Sequence, residues 1–380
     1  MFRKAGLMFF LLIITSCGAS TDLRHENMAT LKERWDQANE PIRMLPSDYE
    51  VVFQSLPLSG QLDRQPWTDS YWPSYRGGLA ARWRDDISGH DVNPVTFDQA
   101  RLMEPAQLSR LSPAEKFDLF VGDDSFTLFN SEIKRTSPDD EAWFGICHGW
   151  APASLAFKEP KAITLTGANG LAIPFGSSDI KALLSLYSAD YAQVKSWMLA
   201  ARCNDDFAKN PEAENKPGCR DTNAGAFHLV LANLIGIKKR GFVADLTRDI
   251  EVWNQPIAGF STKVLSESRG RSRGASFWTV REVTVETTIQ YGAEISPEWA
   301  SVGSKMMTRT YNYRLEINRR GMIIGGAWLS EQRPDFLWTN STPKFEDGSN
   351  RRAGDKVIKW SELSKIYEAA TTAESDAPEL

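Results

Sequence analysis

Residues 143–154 decide how the fold is read: Trp143-Phe144-Gly145-Ile146-Cys147-His148-Gly149-Trp150-Ala151-Pro152-Ala153-Ser154. Proline fits only the first turn of a helix, so Pro152 predicts a helix that begins near Ala151, just after Cys147. The thiol then lies close to a helix N-terminus, whose partial positive charge favours thiolate over thiol. Gly145 and Gly149 leave space for a second backbone to approach the sulfur. The competing reading is a small, inert core residue, the usual fate of an unpaired cysteine.

Working outward, the scarcity of cysteine and histidine narrows the choice. The chain has 380 residues but only four Cys and four His. Cys203 and Cys219 bracket a stretch of Asn, Asp, Pro, Lys and Gly without apolar periodicity. In an exported protein they predict a disulfide, whose ring of about 17 residues contributes roughly 3 kcal/mol. No CxxC spacing or adjacent His suggests a metal pair there, and no other metal motif is visible. Cys147 is left over, and a thiolate nucleophile needs a base. His25 and His90 lie in polar stretches, and His148 follows Cys147 directly, about 100° around a helix from it.

His228, in Gly225-Ala226-Phe227-His228-Leu229-Val230-Leu231, is therefore the candidate base. Its apolar run reads as a buried strand, with a helix through Ile235 as the alternative. Gly241-Phe242-Val243-Ala244-Asp245 reads as a second strand ending in a carboxylate. Pairing of the two strands brings Asp245 to His228, where it would hold the tautomer and support the imidazolium. Asp249 and Asn254 are rivals for that place, and a merely structural His228 is the competing reading.

The N-terminus predicts export. Met1–Cys17 reads MFRKAGLMFFLLIITSC. Arg3 and Lys4 precede an apolar run far short of the roughly 20 residues a spanning helix needs, which is the pattern of a signal peptide. Ile14-Thr15-Ser16-Cys17 is similar to the lipobox of bacterial lipoproteins, with Cys17 as the lipidated residue; an ordinary cleaved signal is the alternative. The expected location is the bacterial cell envelope, lipid-anchored at the outer membrane or cell surface. There are 44 Lys+Arg against 49 Asp+Glu, a net charge of −5, unlike the basic excess of a nucleic-acid binder. The 13 Trp and 19 Phe supply large apolar surfaces and argue against intrinsic disorder.

Along the body, Leu45–Leu111 is broken by Pro66, Pro73, Gly77 and Gly78 and reads as a wrapping segment. Ser112-Pro113-Ala114-Glu115 predicts a capped helix start. A helix opening at Ser178 and Asp179 carries Ile180, Leu183, Leu184, Tyr187, Tyr191, Val194 and Met198 at helical spacing. From Ser276 to Gln290 the period becomes two, with Phe277, Val283, Val285 and Ile289 on one face. Tyr311, Tyr313, Leu315 and Ile317 repeat it before the turn Asn318–Gly321 and a strand through Met322–Ile324, a β-hairpin. The expected divisions are a signal peptide (1–16), a lipidated Cys and polar tether (17–50), a catalytic region (51–270), a β-rich part (271–345), and a C-terminal helix with a disordered tail (346–380).

The sequence resembles the transglutaminase elicitor family in PWTDSYWP (66–73), GGLAARW (77–83), SPAEKFDLFVGD (112–123), WFGICHGWAPAS (143–154), CRDTNAGAFHLVLANLIG (219–236), EVWNQPI (251–257) and IIGGAWLSEQRPDFLW (323–338). Ala327 stands where an acidic residue is expected after the two glycines. The resemblance implies an α+β, papain-like or transglutaminase-like core, with the nucleophile at a helix N-terminus and His and Asp on antiparallel strands. It implies Cys147 as nucleophile, with His228 and Asp245 placed as its partners. The implied reaction joins a protein glutamine to a primary amine of lysine or a polyamine through a Cys thioester, without a cofactor and with calcium dependence open. Asn254 or Gln255 would help stabilise the oxyanion, and Trp143, Trp150 and Trp253 would wall the site. A cysteine protease or glutamine deamidase, in which water accepts the acyl group, is the alternative. A non-catalytic envelope-anchored binding lipoprotein is the second.

Overall fold

The computed structural model describes residues 36–203, 221–341 and 357–372, together with positions 205, 209, 210, 212, 216, 219 and 347. The expected signal peptide, Cys17, His25 and the expected disordered tail from residue 373 lie outside the described residues. Residues 36–50, read as part of a tether, instead pack on the core, where Met44, Leu45 and Tyr49 are buried. Removing these side chains from water outweighs keeping the segment free.

Helix α1 (Pro113–Val121) starts as its sequence predicts. The Ser112 hydroxyl accepts the Glu115 N–H at 3.2 Å, and the Glu115 carboxylate accepts the Ser112 N–H at 3.0 Å. This reciprocal cap is worth about 1 kcal/mol. Helices α2 (Thr127–Arg135), α3 (Cys147–Ala156) and α4 (Ser177–Leu186) follow. The expected continuation of α4 to Met198 does not occur. A π-helical turn at Tyr187–Tyr191 changes the winding, which takes Val194 and Met198 off the buried stripe. Met198 lies in a strand instead.

Helix α3 begins at Cys147 itself, one turn earlier than Pro152 predicts. The Ile146 carbonyl accepts the N–H groups of Gly149 (2.8 Å) and Trp150 (2.9 Å), and this sets the first turn. Pro152 then costs one bond, to the His148 carbonyl. The space that Gly145 and Gly149 were expected to leave beside the sulfur is instead filled by the protein's own backbone. A Cβ on Gly145 would lie 2.4 Å from the Tyr71 carbonyl oxygen, and one on Gly149 would lie 2.2 Å from that of Ser185. Both glycines permit close packing within the protein, the second between α3 and α4.

Ten strands are present among the described residues: β1 (Ser59–Gln61), β2 (Ile163–Thr166), β3 (Ala172–Phe175), β4 (Ser196–Leu199), β5 (Phe242–Asp245), β6 (Asn254–Arg269), β7 (Arg281–Gly292), β8 (Met306–Ile317), β9 (Ile323–Trp328) and β10 (Leu337–Asn340). β2 and β3 form a separate ladder. The remaining strands make one antiparallel sheet in the order β4-β10-β5-β6-β7-β8-β9, with β1 on β6. The sheet runs across residue 270, with β1 and β4–β6 before it and β7–β10 after it. β7 begins at Arg281, and Phe277, expected on its buried face, is 72% exposed. Val283, Val285 and Ile289 are buried together as predicted, as are Tyr311, Tyr313, Leu315 and Ile317 of β8.

Helix α5 (Ala224–Val230) contains His228, where a strand was expected. Asn223 caps it through its side-chain oxygen, which accepts the N–H of Gly225 at 2.9 Å. The helix continues into a π-helical turn over Leu231–Ile237. An apolar run this long is buried on every side, so it shows neither helical nor strand periodicity. Helix α6 (Trp360–Thr372) closes the described chain and packs its buried Leu363, Ile366 and Ala370 in the same core as α4.

Residues alternate between the two faces of β5, and this positions the site. Val243 and its cross-strand partner Trp338 belong to the core that holds Cys147, Trp150 and α4. Phe242 and Ala244, with partners Ile257 and Leu337, belong to the core that holds α5. Asp245 and its partner Asn254 share the face of Val243.

Candidate active site

Cys147 is a free, buried cysteine and the first residue of α3. It opens onto a cleft of about 560 Å³ lined by Trp143, Phe144, His148, Arg202, Asn254 and Trp338, among others. The Asn254 side-chain amide donates from Nδ2 to the sulfur at 3.4 Å. Its Oδ1 accepts the indole N–H of Trp338 at 2.7 Å. An indole nitrogen only donates, so Trp338 fixes which end of the Asn254 amide faces the sulfur. The Val252 carbonyl lies 3.7 Å from the sulfur on the same approach.

The helix N-terminus alone predicts a lowered thiol pKa, but the structure reverses the balance. Burial pushes the Cys147 thiol up, and the side-chain and backbone N–H groups of Asn254 oppose it. The negative charges of Glu294 and Asp245 reinforce the rise. Taking a sulfur out of water penalises its anion, while the two amide donors favour it.

Asp245 is fully buried, and burial, reinforced by the charges of Asp335 and Asp249, raises its carboxyl to about 8. One carboxyl oxygen accepts the Thr247 N–H at 3.3 Å, and the other has no hydrogen-bond partner among the described residues. Asp245 is the cross-strand partner of Asn254, whose amide meets Cys147, and its charge acts on that sulfur. The rival Asp249 is exposed.

His228 lies on the opposite side of the sheet. Its Nδ1 is 2.8 Å from the Tyr313 hydroxyl, which is 2.7 Å from Thr287 Oγ1, itself 2.8 Å from Thr262 Oγ1. The Phe53 ring sits 6.0 Å away, and burial lowers the imidazole to about 4. His228 does not meet Cys147 because the period of two along β5 separates their faces. The histidine that lines the cleft is His148, half-buried on the second residue of α3. Adjacency in sequence had argued against it, but the open first turn of a helix lets both side chains reach one cavity.

The remaining expected residues divide in the same way. Gln255 gives its amide to both carboxylate oxygens of Glu294, at 3.0 and 2.8 Å, and so does not serve the sulfur. Trp143 stands at the cleft with the Arg202 guanidinium 5.9 Å over its ring. Trp253 packs against Tyr71 at 5.1 Å and donates to Glu251. Trp150 is fully buried core rather than wall. Cys203 and Cys219 form the expected disulfide, with a Cα–Cα distance of 4.5 Å.

Trp338 was not singled out in sequence, although it closes the matching segment 323–338. Nothing local marked it, because its partner Asn254 is 84 residues away.

A search of curated proteins finds no match to this chain. The crystal structure of the GP42 transglutaminase from Phytophthora sojae has a similar fold, with a TM-score of 0.65 and 20% sequence identity. That similarity covers 88% of this chain and 98% of the other. The profile of the transglutaminase elicitor family matches residues 139–371, more than half the length and spanning Cys147, Asp245, Asn254 and Trp338. The chain belongs to the transglutaminase elicitor family.

Proposed function

We propose that the protein is a cysteine acyltransferase of the transglutaminase type, acting on the side chain of a protein glutamine. The observation that carries this reading is the free thiol of Cys147 at the start of α3, open to a cleft and met by the Asn254 amide. The Cys147 sulfur attacks the glutamine carboxamide carbon, the C–N bond breaks, and ammonia leaves with the proton given up by the thiol. A primary amine then attacks the thioester, forming the isopeptide bond and returning the thiol. We assign the ionised Asp245 as acceptor of the thiol proton, because it is the cross-strand partner of Asn254, whose amide meets the sulfur, and burial raises its carboxyl to about 8, near a thiol's range. The Asn254 amide and the N–H groups at the start of α3 stabilise the negative charge of the tetrahedral intermediate.

The active core in this reading keeps the papain-like principle of a nucleophile at a helix N-terminus facing an antiparallel sheet. It replaces the strand histidine with the Asp245–Asn254 pair. We also propose export and lipid attachment at Cys17, with the cell envelope as location. No helix among the described residues is long and apolar enough to cross a membrane. Metabolic labelling with a fatty acid that fails in Cys17→Ser supports attachment, and label retained in that variant overturns it.

Incubation of the protein with a glutamine-rich protein and a fluorescent primary amine tests the chemistry. Amine incorporation that disappears in Cys147→Ala supports it. Ammonia release without incorporation, or backbone cleavage, assigns the same thiol to hydrolysis instead. Equal behaviour of wild type and Cys147→Ala in all three assays removes the catalytic reading.

A further inference from the structure

At the end of the sheet remote from the cleft, the loop between β6 and β7 presents two large aromatic side chains to water. Phe277 is 72% and Trp278 56% exposed, with ring centroids 5.4 Å apart. Exposing an adjacent aromatic pair of this size forgoes the free energy of its burial, which a soluble surface does not ordinarily do. Flexibility does not account for it, because two carboxylates at the base pin the loop. Glu282 accepts the N–H and the hydroxyl of Ser272, both at 2.7 Å, and Glu316 accepts the Ser276 N–H at 2.8 Å. Gly270 N–H to the Val280 carbonyl at 2.8 Å closes the neck. The fold therefore holds the aromatic pair outward.

The charge around the pair has one sign. Arg269, which ends β6, and Arg271 and Arg273 of the loop are exposed, and the Arg271 guanidinium stands 4.8 Å over the Phe277 ring. Val280 N–H bonds the Ile317 carbonyl at 2.9 Å, so the β8–β9 turn lies at the same end and adds exposed Arg319 and Arg320. The acids of this end are committed: Glu282 and Glu316 are buried in the loop contacts, and Glu267 pairs with Arg281 at 3.1 Å. Five exposed arginines gather here in a chain of net charge −5.

We propose that this loop is a membrane-contact surface that seats Phe277 and Trp278 in the headgroup region of an anionic phospholipid bilayer. Trp and Phe favour the boundary between headgroups and acyl chains, and arginines beside them pair with lipid phosphates while their stems cover apolar surface. Each arginine near an anionic leaflet adds about a fivefold gain in binding. β6 runs from Asn254 at the cleft to Arg269 at the loop, and 16 residues at strand rise span roughly 50 Å. A bilayer bound at the loop leaves the cleft open to water and to macromolecular partners. The proposal is independent of the chemistry at Cys147.

Hydrogen exchange of the full chain, followed peptide by peptide with and without vesicles, tests it. This readout reports the loop itself, whatever attaches the N-terminus. Amides of residues 270–280 should exchange at least about fivefold more slowly on phosphatidylglycerol vesicles and show no change on phosphatidylcholine. The slowing should be lost in Phe277→Ser/Trp278→Ser, be reduced in Arg271→Gln/Arg273→Gln, and persist in Leu102→Ser, which alters an exposed leucine elsewhere. Unchanged exchange of these amides on phosphatidylglycerol overturns the proposal. So does equal slowing by heparin, which would make the loop a polyanion site, or slowing that follows protein concentration without lipid, which would make it a self-association surface.

Discussion

The two faces of β5 carry the two residues that chemistry would most readily pair, and they keep them apart. On one face, beside a cleft, Cys147 meets the Asn254 amide, which Trp338 orients, and its thiol feels the charge of Asp245. On the other, His228 ends a chain of buried hydroxyls through Tyr313, Thr287 and Thr262. Both environments are dry, and dryness acts oppositely on the two acids and the base. It raises Asp245 to about 8 and lowers His228 to about 4, so both are neutral between about pH 4 and pH 8. The difference is what surrounds them: donors aimed at a sulfur on one side, a closed structural network on the other.

The comparison breaks most readily at Cys147. Cys147→Ala should reduce amine incorporation at least about a thousandfold, with folding intact by circular dichroism, because the covalent step is lost. Next comes Asp245→Asn, expected to reduce incorporation about a hundredfold. In wild type, incorporation should rise as pH passes about 8, where Asp245 gives up its proton, and the variant should lose that step. Its thiol should nevertheless be alkylated by iodoacetamide faster than wild type above pH 8, since the raising charge is gone. The folded pKa of Asp245 lies above its unfolded value near 3.8, so this group is stabilising-neutral at low pH and costs stability as pH rises from about 4 to about 8. Thermal melts at pH 8 should therefore show Asp245→Asn more stable than wild type.

A smaller effect belongs to Trp338→Phe. The variant keeps the ring but loses the N–H that orients the Asn254 amide. Losing one net hydrogen bond of about 1 kcal/mol should move the pH midpoint of Cys147 alkylation upward by less than about one unit. kcat should fall a few-fold with KM little changed. An unchanged alkylation midpoint would make Trp338 packing alone.

What could be read from sequence follows the range of the interactions involved. The Ser112–Glu115 cap, the alternation in β7 and β8, and the Cys203–Cys219 loop are local patterns, and each appears in the structure. Cys147 was legible because scarcity isolated it and Gly145–Pro152 marked a helix start. The run around His228 forms a helix, the alternative to the strand, and an apolar run buried on all sides has no period that separates the two in sequence. Asp245 was placed on the right strand for an insufficient reason. Its neighbour Asn254 is fixed by the β5–β6 register, and only that register reveals which face both residues share. Trp338 reaches the site from a strand that pairs out of order, β10 between β4 and β5, which no local pattern announces.

The smallest expected change in chemistry is the one that most sharpens the comparison. His228→Gln removes the imidazole from the hydroxyl chain and leaves the cleft face untouched. Amine incorporation per folded molecule should match wild type within about twofold, whereas stability at pH 7 should fall by about 1–3 kcal/mol as the buried network loses a partner. The pH dependence has a fixed sign. Because the folded imidazole titrates near 4 rather than 6.5, its contribution is complete above pH 6.5 and is lost as pH falls toward 4. The stability difference between wild type and His228→Gln should therefore shrink over that interval in urea titrations. A hundredfold loss of incorporation with unchanged stability would place His228 in the chemistry and undo the separation of the two faces.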